Sequence, residues 1–429
     1  KGRTSTMKKP IGKILWRGLG PLLIAVILVA ALMLVPFKFG SSSQATIRQA
    51  ASSMSANVLK GENIKNEAMA ENYVPFIGSS ELSRMDAFHP SVLAQKYHRS
   101  YRPFLMGMAG TQSLTHFLSV NALTHVNGKK AVMVLSPQWF VPGGVRKAQF
   151  DFFFSPAQLT TFLLHANPNS EADRYAARRL LQFPSTNSDR ISNGALKNIA
   201  AGQKLSDAQY WYLKQVKSPM ADHQDALFSQ LFLNNNQPKL NKAAKQLPAK
   251  YDVDDLDGVA TQIGMKETTN NPFGLKNDFY SKRVKKNLPK LEGSQAHWSY
   301  VKSPEYSDLQ LVLNTFAKKH MEVLFVIPPI NAKWAAYTGL DMNMIQDTVT
   351  KLNYQLKTQG FNHVLDLSQD GAQPYFMEDT IHIGWRGWLK MDQTVRPFLK
   401  TNKATGVHYK LNDQFYTKSW QQRSANGLD

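Results

Sequence analysis

The stretch Tyr73-Val-Pro-Phe-Ile-Gly-Ser-Ser-Glu-Leu82 is a short apolar run that stops at Gly78 and presents two serines, Ser79 and Ser80. An apolar run of strand length, then glycine, serine and a helix start, puts a hydroxyl at the carboxyl end of a sheet strand. Open α/β sheets build their sites there. The glycine permits the tight turn, and an amide at the start of the next helix can face a developing oxyanion. A serine in this position is equally at home as a helix cap, so its meaning depends on what the rest of the chain brings to it.

Downstream, apolar runs alternate with amphipathic stretches of helix length. Tyr101 to Met106, Ala131 to Leu135, Val323 to Ile327 and His363 to Leu367 read as strands. Gln112 to Leu123, Ser307 to His320 and Met342 to Gln359 read as helices, the last stopping at Gly360. Strands separated by helices imply an α/β domain with a mostly parallel sheet covered on both faces. From about 145 to 300 the rhythm breaks. Ser155-Pro156 and the run from Pro168 to Leu181 open helices, and polar composition dominates, so a mostly helical insertion is expected.

The 429 residues suit one large domain with accessories, and 43% hydrophobic content excludes a disordered chain. With no cysteine, disulfides, thiolate catalysis and cysteine-bound metals are excluded. Gly18 to Phe37 is a 20-residue stretch without a charge, enough to span a bilayer core as a helix. It exceeds a signal-peptide core, and no small-x-small cleavage site precedes Ser41, so an uncleaved anchor is expected. Basic residues upstream hold that flank in the cytoplasm and send the body outward. The net charge is +20, and only six of the basic residues lie in 1–17, so the body is itself basic. Outside a membrane such a body meets anionic lipid headgroups or phosphate-rich polymers rather than nucleic acid.

Three further sites bear on the two serines. Asp379 and His382 stand three apart, which lets a carboxylate hold one imidazole nitrogen while the other faces a hydroxyl. Gly110 and Gln112 follow the second strand, offering an unobstructed amide and a side-chain donor, and Gln138 follows the third beside Trp139. Each alone is ordinary turn chemistry; together they are mutually supportive. Spacing does not resolve Ser79 from Ser80. His89 and His116 read as bystanders, Trp385 and Trp388 as core, and no residue set has zinc spacing, so neither metal nor cofactor is expected.

The order of these elements is similar to that of the SGNH/GDSL hydrolases. The words GSSEL at Gly78, GTQS at Gly110, LSPQWF at Leu135 and DTIHIGWRGW at Asp379 resemble the DltD family, D-alanyl transfer proteins of Gram-positive teichoic acids. That resemblance implies a three-layer α/β/α domain on a single membrane helix. It implies Ser80 as nucleophile, His382 as base and Asp379 as its orienter, with oxyanion donors from the Ser80 and Gly110 amides and the Gln138 side chain. Gln112, Trp139 and Arg386 are the candidate substrate contacts. Two departures from the wider superfamily stand out: Ser79 replaces the aspartate of Gly-Asp-Ser, and Ser-Pro-Gln-Trp replaces Gly-x-Asn-Asp.

The implied role is final transfer of D-alanyl groups onto lipoteichoic acid outside the cell membrane, with the membrane O-acyltransferase DltB and the carrier protein DltC as pathway partners. An SGNH esterase or O-acetyltransferase on another surface polymer, and a non-catalytic scaffold for a carrier protein or anionic polymer, are the alternatives. The expected organisation is a cytoplasmic segment over 1–17, a transmembrane helix over 18–37, a juxtamembrane stalk over 38–71 and an extracellular catalytic domain over 72–429.

Overall fold

The computed structural model describes residues 11–34 and 41–428. Five strands form one parallel sheet: β1 (Tyr73–Ile77), β2 (Arg102–Met106), β3 (Lys130–Val134), β4 (Glu322–Ile327) and β5 (Val364–Asp366). Their spatial order is β2-β1-β3-β4-β5. The crossovers therefore run one way from β1 to β2 and the other way onward to β3, which opens a crevice beyond the carboxyl ends of the central strands. Pro75 has no N–H to donate, and pairing of β1 with β3 begins only after it, at Phe76 with Val132.

Alternate strand residues enter different cores. Tyr73, Ile77, Phe104, Met106, Met133 and Phe325 belong to one, and Val74, Phe76, Leu105, Val132, Val134 and Leu324 to the other. Both faces of the sheet are thus buried, as period-two geometry requires when helices cover each side. Helices Ser113–Asn121, Glu305–Lys318 and Met342–Lys357 cover the first face. Helices Pro90–Lys96 and Trp385–Phe398 cover the second.

Between β3 and the helix Glu305–Lys318, the chain from Lys147 to Leu291 is helical with intervening turns. Part of it joins the first core through Phe162, Leu163, Tyr175 and Leu196, and is tied there by Arg179 and Tyr175, which donate to buried Asp308 at 3.0 and 2.9 Å. Helix Val253–Glu267 joins the second core through Leu256 and Ala260.

The N-terminal helix α1 (Ile11–Leu34) precedes α2 (Gln44–Ser52). Among the described residues no helix is long and apolar enough to cross a membrane, and residues 35–37 of the expected span lie outside those described. Residues 41–71 of the stretch expected as a stalk over 38–71 fold onto the domain instead, and 38–40 lie outside the described residues. Ile47, Ala50, Ile64, Ala68 and Met69 recur at helical spacing and are buried in the first core, and Lys65 is buried with them, donating to Leu59 O and Ser119 Oγ.

The crevice is held narrow at one point. A Cβ on Gly107 would lie 2.0 Å from the carbonyl oxygen of Gly78, so only glycine lets the ends of β1 and β2 meet. Gly107→Ala is expected to lower stability by ~1–3 kcal/mol, the usual range for overpacking; a chemical-denaturation midpoint equal to that of the parent would refute this.

Candidate active site

β1 ends at Ile77, Gly78 donates its amide to Met106 O, and Ser80 begins a four-residue 3-10 turn, Ser80–Ser83. The Ser80 amide therefore stands at the open end of that turn, where backbone N–H groups lack turn partners. Its hydroxyl lies 2.7 Å from His382 Nε2. On the other side of the ring, Nδ1 lies 2.9 and 2.8 Å from Asp379 Oδ1 and Oδ2. With Nδ1 carrying the proton to the carboxylate, Nε2 is free to accept from the serine hydroxyl.

Asp379 is fully buried, and it also accepts the amides of Ile381 and His382, each at 3.0 Å. Arg84 completes its shell, with Nη2 2.9 Å from Oδ2 and 3.3 Å from His382 Nδ1. Burial raises the Asp379 carboxyl, but the His382 ring, its hydrogen bond and the Arg84 charge outweigh burial and hold it below its ordinary value. Phe279, from the inserted helices, lies 5.9 Å from the Arg84 guanidinium. Sequence reading missed Arg84. A signal existed in an arginine four residues after the serine, yet nothing local says that it turns toward Asp379.

The structure separates the two serines. Ser79 Oγ donates to Met108 O at 3.1 Å and accepts the Gly110 amide at 3.2 Å, tying the loop after β1 to the loop after β2. Its own amide donates to Glu81 at 2.5 Å. Only Ser80 is brought to His382. Burial raises the Glu81 carboxyl against the Ser79 amide and His382, which pull it down.

The other expected residues are placed less simply. Gly110 has φ +91°, a backbone that favours glycine, and its amide meets Ser79 rather than open space. Gln138 Nε2 donates to Ser136 Oγ at 2.6 Å, and Gln112 Nε2 to Trp139 O at 2.7 Å. Trp139 is buried, its ring 5.7 Å from His116. Arg386 is engaged by Asp257, Nε to Oδ1 at 2.7 Å and Nη2 to Oδ2 at 3.1 Å, so its fork already holds a carboxylate. His89 and His116 are buried, and burial pushes both down to about 3.

A parallel α/β sheet thus carries a serine, an imidazole and a carboxylate in hydrogen-bond reach of one another at the carboxyl end of its first strand. Residues 51–400 match the family described as DltD protein. The chain is 90% identical over 423 residues to Protein DltD of Lacticaseibacillus rhamnosus, covering 99% of this chain and 100% of that one. It is 31% identical to Protein DltD of Bacillus subtilis (strain 168), covering 91% and 99%. With Protein DltD of Staphylococcus aureus (strain NCTC 8325 / PS 47) it shares 28% identity, covering 89% and 95%. The chain belongs to the DltD family.

One group beside the site is expected to carry a pH signature. Asp86 is half-buried, with Oδ2 shut away from solvent and unpartnered, and burial together with the Glu378 charge raises it to about 8, despite the Phe88 amide and Lys276. The folded chain thus holds this proton more tightly than the unfolded chain. The stability it contributes is full below about pH 4 and is lost as pH rises through about 8. Asp86→Asn keeps the acceptor for Phe88 and removes the titration. Its urea midpoint is expected to fall less than the parent's between pH 5 and 8.5, and parallel curves would contradict the assignment.

Proposed function

We propose that this protein transfers D-alanyl groups onto lipoteichoic acid through an acyl-enzyme on Ser80. The observation that carries the reading is the relay itself: Ser80 Oγ is 2.7 Å from His382 Nε2, whose Nδ1 is 2.8 Å from Asp379. His382 Nε2 takes the hydroxyl proton as Oγ bonds to the D-alanyl carbonyl carbon. The tetrahedral oxyanion is met by the Ser80 amide, and by Gly110 and Gln138 once substrate displaces their present acceptors, Ser79 Oγ and Ser136 Oγ. The bond to the donor then breaks, and the leaving group receives the proton from Nε2. A glycerol hydroxyl of the polymer repeats the cycle, losing its proton to Nε2, attacking the ester carbon and releasing Ser80.

Membership of the DltD family supports the substrate. So does charge. The segment that supplies Phe279 beside Arg84 also carries exposed Lys282, Arg283, Lys285, Lys286 and Lys290, which suit a poly(glycerol phosphate) acceptor. In this reading residues 18–37 are a membrane anchor, the body is extracellular, and DltB and DltC belong to the steps that supply the D-alanyl group. The fold is that of the SGNH hydrolases with a helical insertion.

A fluorophosphonate is expected to label the purified full chain at one serine, and Ser80→Ala to abolish that labelling. Labelling that survives the substitution removes Ser80 from the mechanism. Cells carrying Ser80→Ala or His382→Ala are expected to lose ester-linked D-alanine from lipoteichoic acid; a normal ester content, with labelling intact in the parent, assigns the relay to another polymer. Arg84 acts through Asp379 as a positioning residue. A hydrogen bond to a charged group contributes about 1.5–3 kcal/mol, so Arg84→Ala should slow labelling by roughly tenfold or more, with Arg84→Lys restoring part of the rate. Equal rates in all three proteins would show that Asp379 needs no such support.

A further inference from the structure

At the amino-terminal ends of β1 and β2, the opposite end of these strands from Ser80, lies a cavity of about 780 Å³. Tyr73 and Arg102, the first residues of β1 and β2, form part of its wall, and α2 forms another part through Arg48 and Gln49. No aspartate or glutamate is among its lining residues. Arg99, which also lines it, is neutralised by Asp392 at 2.7 Å. Arg48 and Arg102 have no carboxylate partner among the described residues, and both are exposed. Arg102 is 6.0 Å from the Tyr73 ring centroid. Two buried hydroxyls in the wall, Tyr73 Oη and Ser91 Oγ, make no hydrogen bond. Two unpaired guanidinium groups in an open, acid-free cavity are the equipment for an anionic oxygen ligand.

The rim of the same cavity points to where that anion comes from. The loop that supplies Asn235 and Gln237 to the wall is bound along α2 and its flanks. Gln230 donates to Ser42 Oγ at 2.9 Å, Gln49 to Leu233 O at 3.0 Å, and Asn234 and Asn236 to Ser53 O and Ser52 O at 3.1 and 2.7 Å. These bonds hold Phe232 at φ +56°, a backbone that a bulky residue seldom adopts, and leave its ring 88% exposed, with Leu231 beside it. The helix leading into this loop, Ser218–Phe228, packs against α1. On α1, Leu19, Leu22, Leu23, Ile24, Val26, Ile27 and Leu28 are all at least half exposed. Exposed apolar side chains beside unpaired arginines match one occupant with both properties, an anionic phospholipid at a bilayer surface.

We infer that this cavity binds the headgroup phosphate of an anionic phospholipid, with Arg48 and Arg102 as its cationic contacts and Leu231 and Phe232 seated among the acyl chains. It is a second site, with a ligand class distinct from the Ser80 chemistry and independent of it.

The test is lipid retention by the full chain in detergent, read by native mass spectrometry after addition of phosphatidylglycerol or phosphatidylcholine. The wild-type chain is expected to retain phosphatidylglycerol at least tenfold over phosphatidylcholine. Arg48→Glu with Arg102→Glu should remove that preference at unchanged melting temperature, and Phe232→Ser should lower retention of phosphatidylglycerol severalfold. Undiminished preference in the double variant overturns the site. Displacement of the lipid by an equal concentration of glycerol 3-phosphate overturns the lipid as its source. Should the double variant unfold, Arg48→Gln alone, at an exposed position, decides by the same ratio.

Discussion

A carboxylate taken wholly out of water has to be met by donors, because an unpaired buried charge costs several kcal/mol. Asp379 is met by four: the amides of Ile381 and His382, the His382 ring and the Arg84 guanidinium. The two amides fold the turn that carries His382, and the ring bond fixes which face of the imidazole looks at Ser80. Arg84 comes from the loop after β1, so it joins the serine's own loop to the turn that carries His382. Much of the site's geometry follows from satisfying this one buried group.

The sheet supplies the other half of the arrangement. Parallel strands with the order reversing at β1 leave a gap at their carboxyl ends, and the glycine at 107 lets β2 close against Gly78. Ser79 and Thr111 lace that closure together, Thr111 Oγ1 donating to Gly78 O at 2.8 Å. One serine of the pair is thereby consumed in holding the loops, which leaves the next one free to face the imidazole.

Strands and helices were legible in the sequence where local pattern controls them. The runs at 101–106, 131–135 and 323–327 became β2, β3 and β4 within a residue or so, because continuous apolar runs between helical stretches have few other uses. The general place of the serine that meets His382 was legible for the same reason. Which of two adjacent serines turned toward His382 was not, since that depends on φ and ψ at Ser79 and on a partner 302 residues away. Arg386 illustrates the opposite limit. An arginine four residues after the histidine reads as an anion contact, but its fork is filled by Asp257, 129 residues away in the inserted helices. Long-range pairs of this kind leave no trace in local spacing, and Arg84 with Asp379 is another.

The last residues of the chain are structural rather than trailing. Trp420 is buried against Phe415 and Tyr306, and buried Lys351 donates to the carbonyls of Val301 and Arg423, with its ammonium 4.1 Å from the Tyr306 ring centroid. The helix that this tail braces, Glu305–Lys318, supplies the Glu305 carboxyl that accepts the Ser113 amide at the start of the helix following β2. The order of synthesis then matters. The serine loop emerges early, His382 302 residues later, and the residues around Trp420 that lock the helical layer later still, so a nascent chain lacks either the imidazole or the packing behind it. Assembly of the relay is in that sense a late event in the life of the polypeptide, waiting on a residue 302 positions beyond the serine.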